Sequence, residues 1–149
     1  MKINFNILFL IIIFSAFLTN SCSLKFGYYK EDKKLAEKAV EQFHRLYNEQ
    51  NYEELYNIAH EEAKATKSKE KLIELMGRIY ADYGKVLDST VVRADVSVLN
   101  AKERQVAMVC KTKFEKKEKY ETFLVITSDE KANFHTYGEI TEEELKNMR

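Results

Sequence analysis

The sequence predicts an α+β fold, with three helices preceding a curved four-stranded antiparallel sheet and a short helix closing the chain. Two patterns carry that prediction. Apolar residues recur every three or four positions between Leu35 and Tyr83, then every two positions beyond Gly84. The alternating runs are joined by short polar turns, as in an antiparallel meander. Helices gathered on one face of such a sheet bury both apolar surfaces at once.

In the first helix Leu35, Ala36, Ala39, Val40, Phe43, Leu46 and Tyr47 share a face, with Lys, Glu and Gln opposite. Asn48-Glu49-Gln50-Asn51 breaks the pattern. Asn51 with Glu54 three residues on makes a capping-box variant that opens a second helix, whose apolar face is Leu55, Ile58, Ala59 and Ala63. A third helix starts near Ser68, carries Leu72, Ile73, Leu75, Met76, Ile79, Tyr80 and Tyr83, and ends at Gly84, where a left-handed cap is expected. Strands are predicted over 91–99, 105–114, 120–127 and 133–140. In the first of them Val92, Ala94, Val96 and Val98 alternate with Val91, Arg93, Asp95 and Ser97. Thr141 with Glu144 caps a final helix over 142–148.

A chain of 149 residues suits one domain, since domains run to ~100–150 residues. Basic and acidic residues balance at 24 each, and only Lys2 of these lies in the first 21 positions, leaving 23 against 24 beyond them. With no net field to attract a polyanion, nucleic acid is not an expected partner. Proline is absent and glycine sparse, which excludes a long linker of the Pro/Gly-rich kind.

The first 21 residues read as an export signal. Lys2 supplies the positive start, and Ile7 to Leu18 is apolar except for Ser15, the length of a secretion-signal core and short for a permanent span. Thr19-Asn20-Ser21-Cys22 follows and resembles a lipobox, the bacterial site where a cysteine is acylated and the chain is cut just before it. Ser21 and Cys22 match that pattern; Thr19 and Asn20 depart from it, and Leu18 sits one place early. An ordinary signal peptide cut at the same bond is the alternative, with Thr19 and Ser21 as its small residues, and an uncleaved anchor is a third. On the lipobox reading Cys22 carries lipid such as palmitate, residues 22–30 are anchor and spacer, and 31–149 form the domain. The implied location is the cell envelope, lipid-anchored to a bilayer and facing the periplasm or cell surface. Cys110, in a strand-like run, is then a single thiol and reads as a small buried hydrophobe.

Three local features, the break 48–55, the helix ending in Tyr83-Gly84-Lys85 and the meander closing on Tyr137-Gly138-Glu139-Ile140, resemble the NTF2-like (cystatin-like) superfamily, and in particular its small exported lipoproteins. The resemblance covers roughly Asp32 to Ile140. It implies a sheet wrapped around helices with a pocket at the open end. Some members of that superfamily are enzymes, and others only bind ligands or proteins.

Residues with chemistry are few. His44, His60 and His135 lack ligand spacing to one another, so no metal and no cofactor is expected. Tyr47, Tyr80, Tyr83 and Tyr120 could line a cavity with hydroxyls at the end of an apolar wall, with Asp82 the one carboxylate near the end of the third helix. Either set reads as well as ordinary core-edge tyrosines and a solvated acid. Lys111, Lys113, Lys116, Lys117 and Lys119 form a basic edge with Glu115, Glu118 and Glu121 interleaved, the pattern of a solvated edge. No phosphate loop or nucleophile motif is present. The expected function is a non-catalytic binding module for a small apolar ligand or a protein partner. The alternatives are a pocket enzyme of isomerase or dehydratase type using Asp82 or a tyrosine, and a structural protein displaying Val91, Arg93, Val109 and Phe123 on the outer sheet face.

Overall fold

The structure, a computed structural model, describes residues 26–148, with side chains from Tyr29 onward. The predicted signal segment and Cys22 lie outside the described residues. Helices α1 (Phe26–Asn48), α2 (Tyr52–Asn57), α3 (Glu61–Thr66) and α4 (Lys69–Tyr83) come first. Strands β1 (Val86–Val98), β2 (Glu103–Phe114), β3 (Glu118–Ser128) and β4 (Lys131–Ile140) follow, and α5 (Glu142–Asn147) comes last. The strands pair antiparallel in sequence order, β1-β2-β3-β4. The α+β class and the four-stranded meander are as expected from the pattern.

The helix count is corrected: four helices precede the sheet among the described residues, because the predicted second helix is two. Its stripe of Leu55, Ala59 and Ala63 is buried as expected, but His60 takes extended backbone (ψ 146) between the two pieces. The backbone N–H of His60 donates to the carbonyl of Phe134 on β4 (2.9 Å) instead of to its own helix. The sheet edge thus outcompetes one turn of helix, since each backbone donor needs only one partner. At the N-terminus α1 already runs from Phe26, inside the stretch 22–30 expected to be spacer.

Each remaining boundary has a local cause. α1 ends in a Schellman motif: Gln50 N–H donates to Tyr47 O and Asn51 N–H to Leu46 O, both at 2.9 Å, with Gln50 in the left-handed region at φ +55. Asn51 then serves twice, because its side chain accepts the Glu54 N–H and caps α2. Ser68 caps α4 by accepting the Lys71 N–H. Gly84 ends α4 at φ +77, ψ −159, a conformation open essentially to glycine alone. A Cβ there would strike the Glu115 side chain, which accepts the Lys85 N–H at 3.0 Å. The capping box of Thr141 and Glu144 is complete, as the sequence suggested.

Alternation along β2 and β3 sends Val106, Met108, Cys110, Thr112 and Phe114, then Glu121, Phe123, Val125 and Thr127, toward the helices, and all nine are buried. They meet the stripe of α1, where Ala36, Ala39, Val40, Phe43, Leu46 and Tyr47 are buried. A bulge between Val91 and Arg93 resets the phase of β1. Val91, expected on the outer face, therefore pairs with Cys110 and packs on the core, while Val92 is the exposed residue. Phe123 is likewise an inner-face core residue and not an outer one, edge-on to Phe43 at 5.1 Å. Of the four residues proposed for outward display, Arg93 and Val109 do lie on the outer face, although Val109 is buried there at 3% exposure. They pair across β1 and β2 and line a shallow groove of about 280 Å³ beside Met148.

Polar contacts fix α1 on the sheet at three points. Near its start Asp32 is buried, accepts the Thr127 hydroxyl (2.6 Å) and lies 3.4 Å from the Arg104 guanidinium. His44 meets Glu121 at 2.8 Å. At the end the Asn48 amide imitates a strand, donating to Val86 O (2.9 Å) and accepting the Val86 N–H (2.8 Å).

Two positive-φ positions give substitutions of opposite sign. Gly84→Ala is expected to lower unfolding free energy by about 2 kcal/mol, from backbone strain and the lost Glu115–Lys85 contact. Gln50→Gly is expected to raise it by up to ~1 kcal/mol, by removing the cost of a side chain in a left-handed cap. Urea unfolding followed by circular dichroism measures both.

Candidate functional site

Three places in the fold bring chemically capable side chains together. The first is inside the core. Glu121, counted from sequence among the interleaved acids of a solvated edge, is 1% exposed and points inward between Cys110 and Glu139. The two-residue period of β3 explains the correction, since Glu121 shares its face with Phe123 and Val125. Its carboxylate is held by His44 and by a hydrogen bond from the Tyr137 hydroxyl. Phe43 and Phe123 wall in the His44 imidazole, at ring separations of 6.0 and 5.6 Å. A buried carboxylate is tolerated only with partners of this kind.

Burial first, and then the negative charges of Glu121 and Glu139, push the Tyr137 hydroxyl well above the ordinary tyrosine range. Burial also raises Tyr47, whose hydroxyl donates to Gly84 O at 2.9 Å. The Cys110 thiol is pushed up to about 12, by burial and then by Glu121. These groups are therefore protonated at neutral pH: the hydroxyls donate, and Cys110 is no nucleophile. The tyrosine hydroxyls of this region serve as hydrogen-bond donors that hold the carboxylate and the backbone in place.

The second place is a groove of about 270 Å³ between the short helices, α4 and edge strand β4. Tyr56, Ala59 and Ala63 form one wall, Leu72, Leu75 and Met76 another, and Phe134 and Tyr137 the floor. The break at His60 is what opens it, because α2 and α3 diverge there while the His60–Phe134 hydrogen bond keeps them on the sheet. Lys64, Lys67 and Lys71 stand at its margin. Lys64 is engaged by Glu61 (2.8 Å) and by Asn57 O (3.0 Å); Lys67 and Lys71 have no ion-pair partner among the described residues. The groove is near the lower end of ligand-site sizes, ~300 Å³.

The third is a pair of histidines 75 positions apart in the chain. The rings of His60 and His135 lie 5.9 Å apart, with Glu62 beside them. The sequence offered no sign of this, because neither histidine has a second ligand at His-x3-His or Glu-x-x-His spacing and the two lie far apart in the chain. His135 occupies the irregular position of β4, where Leu124 pairs with Thr136 and Val125 with Phe134.

The tyrosines singled out from sequence fall into two groups. Tyr47, Tyr80 and Tyr83 do converge, around Phe114 at the Gly84 end of the core: Tyr47 lies 5.5 Å from Tyr80, and Tyr83 lies 5.3 Å from Phe114. Tyr83 donates to Glu139 (2.9 Å), and Lys117 sits 4.0 Å over its ring. Asp82 is exposed, and Tyr120 pairs with Lys111 and Ile140 on the opposite face of the sheet, so neither joins that group. None of the five lines the 270 Å³ groove, whose tyrosines are Tyr56 and Tyr137. Helical spacing puts Tyr56 next to Ala59 and Ala63, the one signal in the sequence that could have found it.

No protein-family model matches the chain, and no curated protein matches it significantly.

Two measurements follow from the buried network. Glu121→Ala leaves His44 and the Tyr137 hydroxyl without their acceptor and is expected to cost about 3–5 kcal/mol. The double change His44→Leu with Glu121→Leu is expected to cost less than that single one, as a double-mutant cycle in urea would register. The raised groups also set an alkaline limit. Unfolded tyrosine and cysteine lose protons near 10 and 9, while the folded chain holds them, Tyr83 and Cys110 to about 12. The stability they contribute is thus intact below about pH 9 and is lost as pH rises toward 12. Unfolding midpoints across that range are expected to fall steadily, and less steeply in Tyr83→Phe.

Proposed function

We propose that this chain is an envelope lipoprotein, anchored through an acylated Cys22, whose NTF2-like domain binds an amphiphile with an apolar tail and an anionic head. The observation that carries this reading is the groove between α2, α3, α4 and β4: apolar on walls and floor, with lysines at its margin. An apolar tail removes groove surface from water, at about 25 cal/mol per Å² buried. Lys67 and Lys71 gain a counter-ion there that nothing in the described fold provides. Anchoring rests on the lipobox resemblance at Cys22. No helix among the described residues is long and apolar enough to cross a membrane.

The isomerase or dehydratase alternative has less to draw on. Asp82 is exposed, and the Tyr137 hydroxyl, the group nearest both groove and carboxylate, stays protonated and is committed to Glu121. A pocket base needs a proton affinity near neutrality and an unoccupied lone pair.

Binding is testable on a chain starting at Ser23, since the core residues begin at Ala36. A fluorescent medium-chain fatty acid is expected to bind, and Ala63→Trp, which fills the groove, to abolish binding. Lys67→Glu with Lys71→Glu should weaken the fatty acid about 10-fold while leaving the corresponding alcohol nearly unchanged. Binding that survives Ala63→Trp, or no binding of either amphiphile, ends this reading of the groove. The anchor is tested separately: the full chain is expected to start at Cys22 with acyl mass and partition into detergent, and Cys22→Ser to do neither.

A further inference from the structure

We propose that His60, Glu62 and His135 form a binding site for a borderline divalent cation, zinc above all, on the flank of the domain away from the buried network. One donor atom from each of the three lies within 4.8 Å of the other two. Two imidazoles and a carboxylate are a donor set zinc favours, and three protein ligands leave its fourth position open.

The scaffold for this set is already rigid. The His60 N–H bonded to Phe134 O fixes the first histidine against the strand that carries the second, and the Asn133 amide donates to Ile58 O (2.8 Å) beside it. His60 occupies the N-cap position of α3, yet its side chain makes no capping bond and is left to face His135. On the other ring, Nδ1 is engaged by the Thr136 hydroxyl at 2.9 Å, which leaves Nε2 as the ligand nitrogen.

The polar groups are not satisfied by one another. His60 Nε2 stands 3.8 Å from Glu103, and His135 Nε2 stands 3.6 Å from Glu62, both too long for hydrogen bonds. His60 Nδ1 is buried with no hydrogen-bond partner, an expensive condition unless something else binds the ring. These separations suit groups that share a cation. Ligands on zinc at ~2.0–2.2 Å sit roughly 3.3 Å apart, so no pair of donors must close by more than about an ångström and a half. The Glu62 side chain, 78% exposed on the first turn of α3, already stands 3.6 Å from His135 Nε2, close to that spacing, so the adjustment falls mainly on the His60 ring. Glu103 is placed to take the fourth position or to orient His60.

The test uses the full-length protein in non-ionic detergent, titrated with zinc in a calorimeter and with cobalt by visible absorption. One zinc per chain is expected, with cobalt giving the intense bands of a low-coordinate nitrogen and oxygen site. Zinc should raise the melting temperature of the wild type and not that of His60→Ala with His135→Ala. Glu62 is exposed, so Glu62→Ala keeps the fold, and it should weaken zinc at least about 10-fold. Its neighbour substitution Glu61→Ala should leave affinity unchanged. Absence of zinc binding overturns the proposal. So does wild-type affinity in the double histidine variant, or an equal loss in Glu61→Ala and Glu62→Ala.

Discussion

Glu121 is a carboxylate on the inner face of a sheet whose other inner residues along β3 are Phe123, Val125 and Thr127. Left alone there it would cost several kcal/mol, so α1 must bring His44 to it and β4 must bring Tyr137. That requirement sets how the helix lies. From Asp32 to His44 the helix advances about 18 Å, and from Thr127 to Glu121 the strand spans about 20 Å. Contacts at both ends are therefore met when α1 runs antiparallel along β3. A helix packed by apolar contacts alone could slide by a turn with modest loss; one carrying these two polar contacts cannot.

With α1 fixed, the remaining helices take what is left of the inner face. Asn48 ties the end of α1 to the start of β1, and Gly84 lets α4 turn back toward the same point. The β2–β3 turn closes over that junction, with Glu115 N–H on Lys85 O and Lys116 N–H on Tyr83 O. The tyrosines at this end fill space between helix and sheet, which is why the hydroxyls of Tyr47 and Tyr83 are spent on structure and not on a ligand.

At the other end, one backbone hydrogen bond has two consequences. By taking the Phe134 carbonyl, His60 interrupts the helical ladder and splits α2 from α3, which opens the apolar groove above Phe134 and Tyr137. The same bond carries the His60 imidazole to His135. Groove and histidine pair thus both lie where the regular structure is broken, while the inner face of the sheet under α1 is closed by its own side chains. The lysine-margined groove and the histidine pair are neighbours, and His135 belongs to both.

Periodicity was enough for the class of the fold. The stripe of α1, the stop at Gly84, the Asn51, Ser68 and Thr141 caps and the four-strand meander all follow from interactions within a few residues, and such interactions are written locally. What failed locally had a distant cause. Nothing near Ile58 announces that His60 will bond to Phe134, nothing near Val91 fixes a bulge against β2, and the charge of Glu121 hides that its strand period turns it inward. The candidate site was the least legible part for the same reason. Of the residues grouped from sequence, Tyr47, Tyr80 and Tyr83 meet around Phe114 while Asp82 and Tyr120 lie apart, and the groove and the His60–His135 pair exist only once β4 is laid beside α3. The sequence by itself determined the order and type of the main helices and strands, because backbone preference and amphipathic period act over a single turn or pleat. Only the tertiary structure decided which polar side chains meet, because those pairs are 75 to 95 residues apart and their partners are chosen by the register of α1 and β4 on the sheet.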